Sequence, residues 1–156
     1  MSMLFGYVYV IAAFCMNIYA LKAKNDWEHA VAMIYAGSAL GAVFSGDLFT
    51  LFFCIEIMSW APFFLLLFRG TKKSRGAAVR YIIWHHISGL CILAGILMHL
   101  QQTGSIELTR MPWGWGPQYL GSHLMLIGFL INSASVPFHS WLSDAYSEAS
   151  SSGSSI

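Results

Sequence analysis

The chain has 156 residues and a formal net charge of +1 at pH 7, and 57% of its residues are hydrophobic whereas only 10% are charged. A charge this close to neutral excludes a nucleic-acid-binding protein, which needs a strongly basic surface to neutralise phosphates. The apolar residues occur in long blocks rather than in alternation, and the mean hydropathy is +0.62. These features predict an all-α polytopic membrane protein, because helices of roughly 20 apolar residues span a bilayer.

Five apolar blocks predict about five transmembrane helices. Segment A covers residues 3–21, segment B about 29–45 and segment C 48–68. Segment A lacks the basic start and the small-residue cleavage site of a signal peptide, so we interpret it as a helix. The turn signal Ser-Gly-Asp at residues 45–47 separates B from C, since one straight helix of their combined length would overshoot a bilayer. Segments B and C are therefore expected to form a tight hairpin.

The second half of the chain contains two further segments. Segment D covers about residues 77–100, and segment E runs from about 119 to 141. Segment E contains polar and helix-breaking residues, so we expect this last helix to be broken at Pro137. We divide the chain into a transmembrane helical domain, residues 1–146, and a serine-rich tail, residues 147–156.

The basic residues predict the orientation, because Lys and Arg are retained on the cytoplasmic side during insertion. With five spans, six cations lie on the side of the C-terminus, whereas Arg110 lies on the opposite side. We therefore expect a multi-pass protein of the cell's inner (plasma) membrane, with the N-terminus outside and the C-terminus in the cytoplasm. The six cations are Lys22, Lys24, Arg69, Lys72, Lys73 and Arg75.

Glu56 interrupts segment C about eight residues from its outer end, and so lies roughly 12 Å deep. Ionisable residues at such depth are costly and usually belong to ion paths. Its helical neighbours include Phe52, Phe53 and Trp60, which disfavour a charged carboxylate and would allow proton exchange near neutral pH. The alternative is an ion pair that only holds helices together, with Arg80 as its possible charge partner, although this arginine is also able to snorkel to the inner surface.

Two adjacent histidines, His85 and His86, lie about nine residues into segment D from its inner end. They differ by about 100° around a helix, so at most one of them faces a given neighbour. That histidine is either a proton relay or a structural histidine whose nitrogens are satisfied by its surroundings. Both residues therefore enter the predicted ion pathway as alternatives.

The stretch NSASVPFHSW, residues 132–141, places polar residues at membrane depth in segment E. Pro137 lacks a backbone donor and clashes with the preceding turn, which frees carbonyls that must find partners in other helices or in water. Interrupted helices at mid-membrane often handle ions, whereas the alternative is an ordinary proline kink. Asn132 before the break favours the ion-handling interpretation, and His139 lies just after Pro137.

Two motifs resemble the antiporter-like, ion-translocating membrane subunits shared by respiratory complex I, membrane-bound hydrogenases and Mrp-type cation/proton antiporters. GAVFSGDLFTLFFCIEIMSWAPFFLL resembles the family's helix that carries a mid-membrane glutamate, which falls on Glu56. GFLINSASVPFHSWLSDAYSEAS resembles its broken helix, and the resemblance extends from about Trp27 to the end of the chain. The residues of the second motif that stand in family positions are Pro137, His139, Trp141, Leu142, Asp144, Ala145 and Glu148.

The resemblance implies an ion pathway in which the glutamate pairs with a lysine on the broken helix. The lysine position is occupied by Asn132, which cannot carry an exchangeable charge. Serines replace the prolines expected near Ser143, Ser147 and Ser151. The family's subunits consist of two inverted halves and this chain resembles part of the first, so we expect a fragment or split subunit that completes its pathway with other membrane subunits.

The sequence leaves three functions open. The first is a membrane subunit of a proton- or sodium-translocating complex, for which the sequence favours a transport subunit of a redox-driven complex or cation/proton antiporter over a catalytic chain. The second is a structural or assembly subunit of such a complex without conduction. The third is a haem-bearing membrane anchor, because His99 and His123 lie at similar depth on the outer side. Apart from that alternative we expect no cofactor and no metal site, since the three cysteines lack paired spacing and no nucleotide loop or catalytic triad is present in the sequence.

Overall fold

The computed structural model describes residues 2–20, 26–108 and 111–148. These ranges form six α-helices and one short 3-10 turn, Pro117–Tyr119. Segments A to D correspond to the first four helices, and segment E is divided between the last two. The helices are α1 (Ser2–Ala20), α2 (Asp26–Val43), α3 (Leu48–Phe68), α4 (Lys72–Thr103), α5 (Leu120–Asn132) and α6 (Ser140–Glu148).

The expected all-α membrane architecture is confirmed. Within the described ranges, α3 and α4 are each long and apolar enough to cross a membrane, and the apolar part of α1, Ser2–Ile18, is shorter. Three of the cations that predicted the orientation, Lys22, Lys24 and Arg110, lie outside the described residues, as do residues 149–156 of the serine-rich tail. The orientation and the domain boundary at residue 146 stay predictions.

Side chains cap the starts of two helices. Asp47 precedes α3 and accepts hydrogen bonds from the hydroxyl and the backbone amide of Thr50, at 2.6 and 2.8 Å. These two bonds hold the pKa of Asp47 below its ordinary value. Thr71 precedes α4, and its hydroxyl accepts from the Ser74 amide at 3.0 Å. Because of this cap, α4 begins five residues before the expected start of segment D.

Helix α4 is central, since α3, α5 and α6 all pack against it, whereas α2 packs on α3 and α1 packs on α2. The α4–α5 contact brings two backbones close together. The hydroxyl of Ser88 donates to the Gly128 carbonyl at 2.7 Å, and a Cβ added to Gly95 or Gly128 would collide with backbone atoms of the facing helix. Small residues therefore set the distance between these helices, as is common in membranes.

Segment E is not helical between Asn132 and Ser140. Helix α5 ends with Ala134 in the left-handed region at φ +51°, and two amides after the helix donate back to carbonyls of its last turn, at 3.1 and 2.9 Å. This is the Schellman arrangement, in which glycine is the usual left-handed residue. Pro137 lies in the connection, five residues after the helix has ended. The last helix is thus interrupted around Pro137, as expected, and α5 itself ends in its own C-terminal cap.

Candidate functional site

A cavity of about 250 Å³ lies beside the connection between α5 and α6. We call it the break cavity, and its wall is formed by residues of α2, α3, α4, the end of α5, the start of the connection and α6. Apolar side chains such as Leu65, Leu66 and Ala145 make up much of the lining. The lining residues with polar side chains are Tyr35, Ser59, Tyr81, His85, Asn132, Ser133 and Trp141.

His85 is held in the break cavity with only 5% of its surface exposed. Its Nδ1 lies 3.1 Å from the Tyr81 carbonyl, and since a carbonyl only accepts, Nδ1 carries the hydrogen of this bond. The imidazole stacks on the Tyr81 ring at 4.0 Å and meets the edge of Trp141 at 4.6 Å. The side chain of Asn132 lies within hydrogen-bonding reach of the same imidazole. Two residues that the sequence identified separately thus meet at one site.

Trp141 ties α6 to the end of α5. Its indole Nε1 donates to the Ile131 carbonyl at 3.3 Å, and the residue is 6% exposed. Its ring also packs edge-on against Tyr81 at 5.3 Å, within a cluster that includes Leu66 and Ala145. The Ile131 carbonyl, which already accepts from the Ala134 amide, thereby gains a second donor from a side chain that also forms a wall of the cavity.

Glu56 lies on another face of the α3–α4 contact and does not line the break cavity. Its carboxylate is seated against Gly89, where an added Cβ would collide with Oε1, and it interacts electrostatically with His86. The His86 ring lies edge-on to Trp60 at 5.5 Å. The adjacent histidines therefore face different partners, His85 towards Asn132 and His86 towards Glu56.

The remaining predicted site residues lie apart from this centre. Pro137 and His139 are exposed in the connection and do not line the break cavity. Arg80 is exposed on α4, nine residues and so about 13 Å nearer the start of that helix than Gly89. His86 is therefore the nearer basic group to Glu56.

Sequence reasoning missed Tyr81, Ser59 and Gly89 as parts of the site. The four-residue spacing from Tyr81 to His85 places both on one helix face and was a usable signal. Ser59 is buried and bonded to the Ile55 carbonyl at 2.9 Å, one of several ordinary serines in apolar segments. The role of Gly89 depends on a contact between two helices and had no local signal.

The fold and the site define an all-α membrane protein with a polar cavity at a helix break. The family profile described as NADH:quinone oxidoreductase/Mrp antiporter, transmembrane region, matches residues 45–156, and the chain belongs to this family. The resemblance identified from the two motifs is thus confirmed.

Curated relatives extend the similarity over almost the whole chain. NADH-quinone oxidoreductase subunit M of Escherichia coli is 32% identical over 99% of this chain, and subunit N of Myxococcus xanthus is 32% identical over 82% of it. The chain spans 33% and 27% of these relatives, about a third or less of their length. The similarity therefore begins well before Trp27, where the two motifs had suggested its start.

Solved structures agree on the fold. A chain of the membrane-bound sulfane sulfur reductase, an archaeal respiratory membrane complex, superposes with a TM-score of 0.80 at 22% identity, over 91% of this chain and 31% of its own length. A chain of the Mrp complex from Dietzia sp. superposes with a TM-score of 0.66 at 26% identity, over 78% of this chain and 14% of its own length. Both similar chains come from structures of complexes.

Proposed function

We propose that this chain forms part of the ion-translocating membrane subunit of a proton- or sodium-translocating complex. The observation that carries the proposal is the break cavity, in which a buried imidazole and an amide meet at the interruption of a helix. Glu56 lies on the opposite side of the same histidine pair and is the acidic member of the pathway. Pro137 and His139 belong to the non-helical connection that interrupts the helix.

Membership of the family supports this proposal, as do the relatives named as subunits of NADH-quinone oxidoreductase. The chain covers a third of the length of the Escherichia coli subunit. We propose other membrane subunits as its partners and the cell's plasma membrane as its location.

The deciding experiment is ion flux through the assembled complex in liposomes with Glu56→Gln. We expect flux to fall to the background leak, because the amide cannot exchange a proton. Glu107→Gln is the matched control, since this glutamate is exposed near the start of α3 and lies outside the site. Flux that survives Glu56→Gln at the level of the control would remove the conduction proposal.

A second candidate is a structural subunit that does not conduct, and Asn132 is the observation that favours it. An amide in the break cavity binds protons at no physiological pH, so a pathway that required a charge at this position would be interrupted. This candidate predicts that Glu56→Gln leaves flux unchanged while the complex still requires the chain for assembly.

The proposed orientation has its own test. Single cysteines at positions 72 and 110, in a background without Cys15, Cys54 and Cys91, should react with membrane-impermeant reagents from opposite sides, with Lys72→Cys accessible from the cytoplasm. Labelling of both positions from one side would contradict the expected number of spans.

A further inference from the structure

We propose that His85 is the group that binds and releases the proton in the break cavity, and that Asn132 is its positioning residue. This inference rests on the proposed function and deepens it. Three described residues of the lining have titratable side chains, namely Tyr35, Tyr81 and His85. Tyrosine ordinarily titrates near pH 10, whereas imidazole exchanges protons between about pH 5 and 8.

The geometry leaves one nitrogen for proton exchange. The Tyr81 carbonyl engages Nδ1–H at 3.1 Å, and the rings of Tyr81 and Trp141 hold the imidazole plane. Nε2 is therefore the nitrogen available to a second partner. A proton that arrives through water in the cavity adds to Nε2 and forms the imidazolium, and its departure to water restores the neutral ring with Nδ1–H unchanged.

Asn132 suits both states of that cycle. Its amide donates through nitrogen to a neutral Nε2 and, after rotation, accepts through oxygen from a protonated Nε2–H. A cation at position 132 would oppose the imidazolium, whereas the amide carries no charge. Asn132 leaves the helix break without a fixed charge, so a positive charge is able to form on His85.

The cavity admits the water that such exchange requires. About 250 Å³ is room for several water molecules, and the hydroxyl of Ser59 and the amide of Asn132 supply polar partners. The titratable groups that face His85 are Tyr81 and His86 on its own helix, Tyr35 across the cavity on α2, and Glu56 of α3 through His86. The end of α5, the connection and α6 contribute Asn132, Ser133 and Trp141, respectively, among the described lining residues.

The test compares flux through the assembled complex with Glu56→Gln, His85→Gln and His29→Gln. We expect His85→Gln to lose flux to the level of Glu56→Gln, and His29→Gln, on the inner part of α2, to keep it. The double variant His85→Gln/Asn132→Lys should recover part of the flux, because it returns a titratable group to the cavity. If Glu56→Gln abolishes flux while His85→Gln conducts normally, the inference is wrong and the proposed function stands. If neither variant loses flux, the proposed function itself fails.

A second measurement does not depend on His85→Gln assembling. Infrared difference spectra of the complex with isotope-labelled histidine should contain, besides the bands of the chain's five other histidines, an imidazolium contribution that appears on acidification and is lost in His85→Gln if that variant assembles. Asn132→Lys places a cation beside the ring, so the band should require a lower pH to appear. A histidine spectrum that is identical in the wild type and in Asn132→Lys would overturn the inference.

Discussion

Gly128→Ala tests the close contact between α4 and α5, which determines how near Asn132 lies to His85. An added Cβ would lie 2.5 Å from Ile92 Cγ1 and 2.8 Å from the Ser88 carbonyl oxygen, and the latter is a backbone atom that cannot move without its helix. Overpacking costs about 1–3 kcal/mol, and alanine recovers about 0.5–1 kcal/mol over glycine in a helix. Because backbone is involved, we expect a net loss of about 1–2 kcal/mol in the free energy of unfolding. Gly128 is one turn before Asn132, so the displaced α5 should also separate the amide from His85.

The assay is reversible denaturation of the purified protein in mixed micelles. Gly37→Ala is the matched control, since no atom lies within 4 Å of an added Cβ there and the variant should gain about 0.5–1 kcal/mol. Ser88→Ala removes only the hydroxyl that donates to Gly128, a loss of about 0.6 kcal/mol for an interhelical hydrogen bond in a membrane. A Gly128→Ala protein as stable as Gly37→Ala would refute the close approach of α4 and α5.

Three further predictions concern the ends of the helices. Ala134→Gly should stabilise the protein by up to about 1 kcal/mol, because alanine is strained at φ +51°, and thermal denaturation that shows no gain would contradict the left-handed cap. Trp141→Phe should cost about 1–2 kcal/mol through the lost bond to the α5 carbonyl and the gap beside His85, and an unchanged melting temperature would count against that bond. The lowered pKa of Asp47 makes its cap fully stabilising above the ordinary value of 3.8 and progressively weaker as pH falls through the folded-state pKa. Asp47→Asn should therefore lose this acid dependence in melting temperatures measured across that range, and an acid dependence that persists in the variant would assign it to other carboxylates.

Much of the fold was predictable because each membrane helix is a local block of apolar sequence. Segment C coincides with α3, and the Ser-Gly-Asp signal marks the turn that precedes it. The start of α4 was placed five residues late, since its first turn contains Lys72 and Lys73 and is polar. The interruption of segment E at Pro137 was predictable, whereas the Schellman cap that ends α5 was not, because it is built on alanine and leaves no glycine signal in the sequence.

The components of the site were more predictable than their arrangement. His85, Asn132 and Glu56 were each identified as polar residues at membrane depth, a property of one helix at a time. That His85 faces Asn132 while His86 interacts electrostatically with Glu56 depends on the rotation of α4 and on the close approach at Gly128. Such long-range packing is not encoded in local periodicity.

The final prediction concerns a substitution that should change the position of the Glu56 carboxylate without changing the stability of the fold. A Cβ on Gly89 would collide with the carboxylate of Glu56, the far end of a flexible side chain, so the helices need not move as they must at Gly128. Gly89→Ala should therefore leave the free energy of unfolding nearly unchanged and displace the carboxylate from its position beside His86. We expect reduced flux and a shifted Glu56 carboxylate band in infrared spectra, with no further loss of flux when Gly89→Ala is added to Glu56→Gln. Gly76→Ala is the control on the same helix, because its Cβ would make only an ordinary 3.4 Å contact with Arg80. Normal flux and an unshifted band in Gly89→Ala would show that the position of this carboxylate against α4 has no part in translocation.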